Sequence, residues 1–185
     1  MKVILTILTI LSSFLANLEQ KTLQTNFNVT VSADAASPIN YPGNITVSAD
    51  KFLLTMFGLE AAYDGKTLYM YNSDADELTL TNPTNQELVE ANPFLFARSM
   101  VEVCNVTERT TGDETIITLT PKDASIGINR FVLRLRTADL MPLQLDIKEG
   151  KKTTVLKLID PQFVTEQPAF EIKPEQNTYV NDLRI

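Results

Sequence analysis

The sequence predicts an α+β fold, mainly β: a strongly curved antiparallel sheet forming an incomplete β-barrel, with helices covering its concave face. Three observations lead there. Short segments of alternating apolar and polar residues recur from residue 25 to residue 159. Turn chemistry separates them, at Gly58, Asp64-Gly65, Ser73-Asp74, Gly112-Asp113 and Glu149-Gly150. Helical patterns interrupt the series only at the start and near 84–98. A meander of about eleven short strands with helices at those two places must bury one face of its sheet under them, which curves the sheet toward a barrel left open.

Residues 1–20 carry two overlapping patterns. Lys2, the apolar run 3–11, small residues and Ala16 have the outline of a secretory signal peptide. Ile4, Leu8, Leu11, Leu15 and Leu18 equally form a helical stripe, with Ser12, Ser13, Glu19 and Gln20 off it. The run is too short for a membrane span, which needs about 20 predominantly apolar residues.

Strands follow at 25–31, where Phe27, Val29 and Val31 share a face, and at 44–49, with Ser37-Pro38 and Pro42-Gly43 punctuating the return between them. The next strands are 51–57, 61–63, 67–71 and 77–81. Gly65 accepts positive φ in the turn before Leu68-Tyr69-Met70-Tyr71, whose side chains alternate across the strand. Pro83 breaks the run. Thr84 and Glu87 predict a capping box opening a short helix, and Asn92 with Pro93 predicts a second helix carrying Phe94, Leu95 and Phe96. Three successive large apolar residues cannot share one narrow helical stripe, so some must face something other than an ordinary core. Strands resume at 101–107, 115–120, 128–136, 143–148 and 153–159.

Several of these segments resemble a known family, the periplasmic outer-membrane lipoprotein carriers of the LolA type. Asp64-Gly65-Lys66-Thr67 leading into an aromatic strand that ends Tyr71-Asn72 is similar to the family's corresponding turn and strand. Asn92-Pro93-Phe94-Leu95-Phe96-Ala97-Arg98 resembles its Pro-Phe helix, and Leu119-Thr120-Pro121-Lys122 its strand end. Phe170 resembles the entry to a last strand, and Val180-Asn181-Asp182-Leu183-Arg184 the family's close. The resemblance spans roughly 14–185 and rests on the order of the motifs; Pro83-Thr84-Asn85-Gln86-Glu87-Leu88 and the Asn-Pro form look most like the Bacteroidetes branch.

The resemblance implies the same open barrel and a single LolA-like domain over 1–185. It favours reading 1–20 as the amphipathic helix that precedes the family's first strand, with the export signal outside the given sequence; a signal peptide covering part of that segment is the alternative. With no cysteine near the start to carry a lipid anchor, the expectation is a periplasmic monomer. One departure stands out: alignment on Gly43-Asn44-Ile45-Thr46-Val47 puts Ala49 where the well-known proteobacterial carriers hold their lid with an Arg. Lys51 nearby reads as a solvated strand-edge lysine.

Composition narrows the function. A chain of 185 residues with 44% apolar content can bury a sizeable core, and its length suggests one domain. A net charge of −7 gives no footprint for nucleic acid and a poor match to anionic headgroups. With no histidine and one cysteine, Cys104, the Ser-His and Cys-His nucleophile pairs, internal disulfides and the common metal sites lose their residues. The acids Asp74, Asp76 and Glu77 read as solvated turn residues, and Asp123 and Ser125 lack a matching base. We expect no enzyme, no cofactor and no metal.

A curved sheet under helices either fills its inner face or leaves an apolar cavity. Candidate lining residues are Phe27, Val29, Val47, Phe52, Leu54, Met56, Leu68, Met70, Leu88, Phe94, Phe96, Leu133, Leu135, Leu145 and Leu156, with strand parity leaving their inward direction open. The resemblance implies a carrier that shields lipoprotein acyl chains there. Its implied partners are acylated lipoproteins, an inner-membrane releasing transporter and an outer-membrane acceptor. A lipid-sensing or protein-interaction module on the same scaffold is the alternative.

Overall fold

The computed structural model describes residues 2–33 and 37–185, with the side chains of all of these except 2–9, 86 and 90. Twelve strands form one sheet in the order β12-β6-β5-β4-β3-β2-β1-β11-β10-β9-β8-β7. The sheet is curved and open, not closed into a barrel. Helix α1 spans Lys2–Gln20. Then come β1 (Thr22–Ser32), β2 (Ile39–Ser48), β3 (Lys51–Met56), β4 (Leu59–Tyr63), β5 (Leu68–Asn72) and β6 (Glu77–Thr81). Two short helices, α2 (Asn85–Ala91) and α3 (Pro93–Met100), precede β7 (Cys104–Thr111), β8 (Glu114–Pro121), β9 (Arg130–Arg136), β10 (Pro142–Glu149), β11 (Lys152–Val164) and β12 (Tyr179–Asp182).

Two antiparallel meanders, β1 to β6 and β7 to β11, meet where β1 pairs antiparallel with β11. The register lines up one row of the concave face: Val29 opposite Leu156, Leu156 opposite Leu145, then Leu133, Ile117 and, on the edge strand β7, Glu108. From Leu156 to Ile117 these side chains are buried, each contributing on the order of 1.5–3 kcal/mol relative to exposure.

Helix α1 lies across this face, touching β1, β2 and β7. Leu11, Phe14 and Leu18 are buried, with Ile10 and Leu15 packed beside them. The stripe expected in this segment is therefore the buried face of the helix from residue 10 onward; the expected contributions of the Ile4 and Leu8 side chains lie outside the described residues. The ring of Phe14 packs on Phe94 of α3 with centroids 5.9 Å apart, and Phe96 packs on Phe131 of β9 at 5.2 Å.

Several boundaries differ from the sequence reading. Pro42-Gly43 lies inside β2 and is not a turn, because Pro42 sits one residue beyond the last β2–β3 pair, Gly43 opposite Met56, where its missing N–H leaves no β3 bond unmade. Val101 caps α3, so β7 begins only at Cys104. The strand expected at 153–159 runs through Lys152–Val164 because β1 offers it a partner along nearly its whole length.

The C-terminal segment is the largest difference. Phe170 does not enter a strand; it is buried in irregular chain. Register puts Ala62, Leu78 and Leu80, all buried, on the face opposite the helices. The segment after β11 crosses that convex side, fastened where Gln167 Nε2 donates to Ser48 Oγ at 3.0 Å. It then delivers β12, which pairs parallel to β6 with Val180 opposite Leu78.

Candidate functional site

The α2–α3 elbow is specified locally. The Thr84 hydroxyl accepts from Glu87 N–H at 3.3 Å while the Glu87 carboxylate accepts from Thr84 N–H at 2.7 Å, a reciprocal capping box. Those bonds hold the Glu87 carboxyl below its ordinary pKa. Asn92 closes α2 and opens α3. Its N–H donates to Leu88 O at 2.9 Å, and its Oδ1 accepts from Phe94 N–H at 3.0 Å and Leu95 N–H at 3.4 Å, with Pro93 supplying the first turn. Asn92 is fully buried, so the elbow is fixed in position over the sheet.

Beneath and beside this elbow, three adjoining cavities form a groove on the concave face. The middle one, about 180 Å³, is lined by Phe27, Val29, Ile45, Leu54, Met56, Leu145, Ile147, Leu156, Thr154 and the elbow residues Ala91 and Pro93. Leu54 and Met56 carry it into a second cavity of about 370 Å³, with Ala61, Leu59, Met70 and Thr79 on its wall and Glu60, Tyr71, Asn72 and Glu77 around it. On the other side, Pro93, Ile147 and Thr154 lead into a third of about 810 Å³, lined also by Val89, Phe96, Met100, Ile126 and Ile128, with Glu149 and Lys152 at its edge.

The two ends differ electrostatically. Glu149 and Lys152 pair with each other at 3.0 Å. At the Met70 end the concave-face charge is Glu77, which among the described residues is in no ion pair; Glu60, opposite Thr55 and Tyr71 in register, turns its side chain to the convex face, where it lines a separate cavity with Tyr71, Ile172 and Glu175. Among the described residues Glu77 Oε1 accepts from two neutral groups, Thr79 Oγ1 at 3.4 Å and Asn181 Nδ2 at 3.5 Å. That same end is bordered by exposed apolar side chains: Met70 and Leu59 are about half exposed, and Phe57, in a left-handed conformation at φ 59° on the β3–β4 turn, stacks edge-on against Tyr41 at 4.3 Å.

Of the sequence candidates, Phe27, Val29, Leu54, Met56, Met70, Phe96, Leu145 and Leu156 line the groove. Val47, Phe52, Leu68, Leu88, Phe94, Leu133 and Leu135 are packed in the core away from it. Ile45, Ala61, Ile147 and Thr154, which the sequence reading did not single out, lie on the groove wall. Alternation put them on the same faces as the named residues, and that was the available signal.

Ala49 turns between β2 and β3 at φ 54°, and its N–H donates to Leu18 O at the end of α1 at 2.6 Å. A side chain there bonds no helix; the backbone does. Lys51 lies near the Asp64 turn, where its charge helps stabilise the Asp64 carboxylate. Beside the Phe14–Phe94 ring contact, an ion pair between Arg98 Nη2 on α3 and Glu19 Oε1 on α1 joins the two helical covers. Among the described residues no group of His, Cys, Asp and Glu side chains is arranged to hold a metal ion. Cys104 is buried, and burial pushes its thiol pKa up.

An open antiparallel sheet whose concave face keeps an apolar groove under a helical elbow defines the LolA-like class of folds. The chain belongs to the LolA family: the family described as outer membrane lipoprotein carrier protein LolA matches residues 11–173. Among solved structures, an uncharacterized conserved protein from Thermus thermophilus superposes with a TM-score of 0.62 at 10% identity, covering 93% of this chain and 96% of the other. The Pseudomonas aeruginosa MucA/MucB complex gives 0.53 at 15% identity, covering 88% of this chain and 59% of that one. The Mycobacterium tuberculosis lipoprotein LppX gives 0.50 at 13% identity, covering 89% and 98%. At these identities the superpositions establish shared architecture. A comparison with curated proteins finds no match. No helix among the described residues is long and apolar enough to cross a membrane.

Proposed function

We propose that this chain is a periplasmic carrier that takes lipoprotein acyl chains into the concave-face groove and shuttles them from the inner to the outer membrane. The observation that carries the reading is the groove itself, apolar along its floor and open at its ends, in a chain of the lipoprotein-carrier family. Burying a methylene is worth about 0.8 kcal/mol, so a long acyl chain left in water costs on the order of 10 kcal/mol. A lining of Met56, Met70, Leu54 and Ile147 offsets that cost without rigid shape selection, since methionine adapts to its neighbours. The chain would act by binding and not by catalysis. Its partners would be acylated lipoproteins, the inner-membrane transporter that releases them and an outer-membrane acceptor.

A second reading, a protein-interaction module, draws on the fold shared with MucB, which is found in complex with MucA. Titration with a fluorescent long-chain acyl probe, competed by a triacylated lipopeptide, separates the two. Saturable, competed binding supports the carrier; a folded monomer that binds neither ligand, and carries no lipid in native mass spectra from an envelope fraction, overturns it.

A further inference from the structure

The segment after β11 lies on the convex side of the first meander, against Ser48, Glu60 and Tyr71. On the convex side of the second meander, register sets Lys157 of β11, Gln144 of β10, Arg134 of β9, Ile116 of β8 and Arg109 of β7 in one row. The three cations of that row stand two strand spacings apart, about 10 Å. Four residues along the strands, about 13 Å, Lys148 of β10 lies directly opposite Arg130 of β9. Arg134 is flanked by Glu114 at 3.6 Å and Asp146 at 3.9 Å. Among the described residues Arg109, Arg130, Lys148 and Lys157 are in no ion pair; Lys148 Nζ donates to the Thr153 hydroxyl at 3.2 Å. Arg109, Arg130 and Lys157 are exposed. Like charges directly opposite each other destabilise a sheet, so the Arg130–Lys148 pair is a standing cost that an anion laid across it would relieve.

We propose that this convex face docks on the headgroups of an anionic phospholipid bilayer. The whole-chain charge of −7 conceals the patch: residues 104–164 carry nine Lys and Arg against eight Asp and Glu, and the rest of the chain seven against fifteen. The acid-rich β5–β6 turn is six strand spacings from β11, on the order of 30 Å along the sheet and well beyond the screening length of about 8 Å at physiological ionic strength. Between the two rows of cations register places Thr107, Thr118, Val132, Asp146 and Val155, with no aromatic ring among them. A protein interface is centred on buried aromatic or aliphatic anchors. Cations spread over about 20 by 13 Å without such a centre match headgroups, which present many anions and no fixed shape. Each cation brought to an anionic surface raises partitioning about fivefold. The concave groove faces away from the lipid in this pose, so resting on the membrane and loading an acyl chain are separate events, and the inference stands apart from the carrier reading.

The test floats the full chain with vesicles of phosphatidylcholine alone or mixed with phosphatidylglycerol, at low and raised salt. Binding at least about tenfold tighter to the mixed vesicles at low salt, weakening as salt rises, supports the proposal. The Arg130→Gln/Lys148→Gln variant should lose about tenfold of that affinity with its circular dichroism unchanged. Lys21→Gln/Lys66→Gln, which removes the same charge from exposed sites elsewhere, should keep most of it. Equal binding to the two kinds of vesicle, or no binding by the folded chain, overturns the proposal. Equal losses in the two variants overturn the assignment to this face and leave only net charge. Binding of soluble polyglutamate that depends on Arg130 and Lys148, without binding to the mixed vesicles, overturns the lipid assignment in favour of an acidic protein segment. Acyl-probe affinity should be the same in both variants as in the wild-type chain, which separates a failure here from a failure of the carrier reading.

Discussion

The ring of Phe27 on β1 lies across Gly43 on β2, its register partner: a Cβ on Gly43 would fall 2.4 Å from Phe27 Cζ and 2.7 Å from Thr55 O. Glycine is needed here for space, since its φ is not positive. The absent side chain lets Phe27 cover β2 and still line the groove. Gly43→Ala should destabilise the fold by about 1–3 kcal/mol in urea unfolding, through overpacking. A second change, Phe27→Leu, should recover only part of that, because Thr55 O is backbone and cannot rotate away.

Leu54 and Phe94 separate groove from scaffold. Leu54 lines two of the cavities and is only partly buried, so Leu54→Glu should lower acyl-probe affinity more than tenfold, about 1.4 kcal/mol or more, while the far-ultraviolet dichroism stays native. Phe94 is packed against Phe14 at 2% exposure, so Phe94→Glu should instead abolish cooperative unfolding or lower stability by more than about 3 kcal/mol.

The Arg98–Glu19 pair ties α3 to α1 with both side chains about half exposed. Its worth to global stability should be at most about 1 kcal/mol. If α3 moves to admit a ligand, Glu19→Gln should speed acyl-probe association in stopped-flow measurements with little change in melting temperature, and added salt should reproduce the effect in the wild-type chain.

Two carboxylates give opposite pH dependences. Burial alone would raise the Asp64 pKa, but N–H groups of Thr67 and Lys66 at 2.7 and 2.8 Å, the Tyr69 hydroxyl at 3.1 Å and the Lys51 charge together bring it below its ordinary value. Its contribution is present above the unfolded-state pKa and lost as pH falls through the folded one. Asp64→Ala should cost about 1–3 kcal/mol at pH 7 and flatten the loss of stability below the usual carboxylate range. Glu108 behaves the other way. Its Oε2 is buried without a hydrogen-bond partner, and burial raises its pKa. The folded chain therefore holds that proton more tightly, so the residue's contribution declines as pH rises from the unfolded-state pKa through the folded one. Glu108→Gln should raise stability at pH 7 and remove that decline, as read from urea midpoints across pH 4–8.

Residues that specify their own neighbourhood were legible in the sequence. The Asp64-Gly65 turn, the Thr84–Glu87 box and the Asn92-Pro93 cap all form as the local chemistry requires. Alternation also identified faces: Val47, Phe52 and Leu68 share the concave side with Leu54, Met56 and Met70. What it could not reveal is which part of that side the helices occupy. Val47 and Phe52 are fully buried in the core, whereas Met70 is half exposed on the groove wall. The tail was illegible for a related reason. Leu78 and Leu80 need a cover on the convex side, but only the folded chain brings the segment after β11 there and sets β12 beside β6.

The junction of β1 with β11 has a kinetic consequence. Nearly every other pairing joins strands consecutive in the chain and can close early, as a hairpin does. Val29 meets Leu156 only after the long chain between them has been brought back, a loop closure that comes late. Both residues line the middle cavity. A nascent chain therefore has two half-sheets and no complete groove until β1 and β11 zip together, and acquires its affinity for an apolar ligand only with that closure.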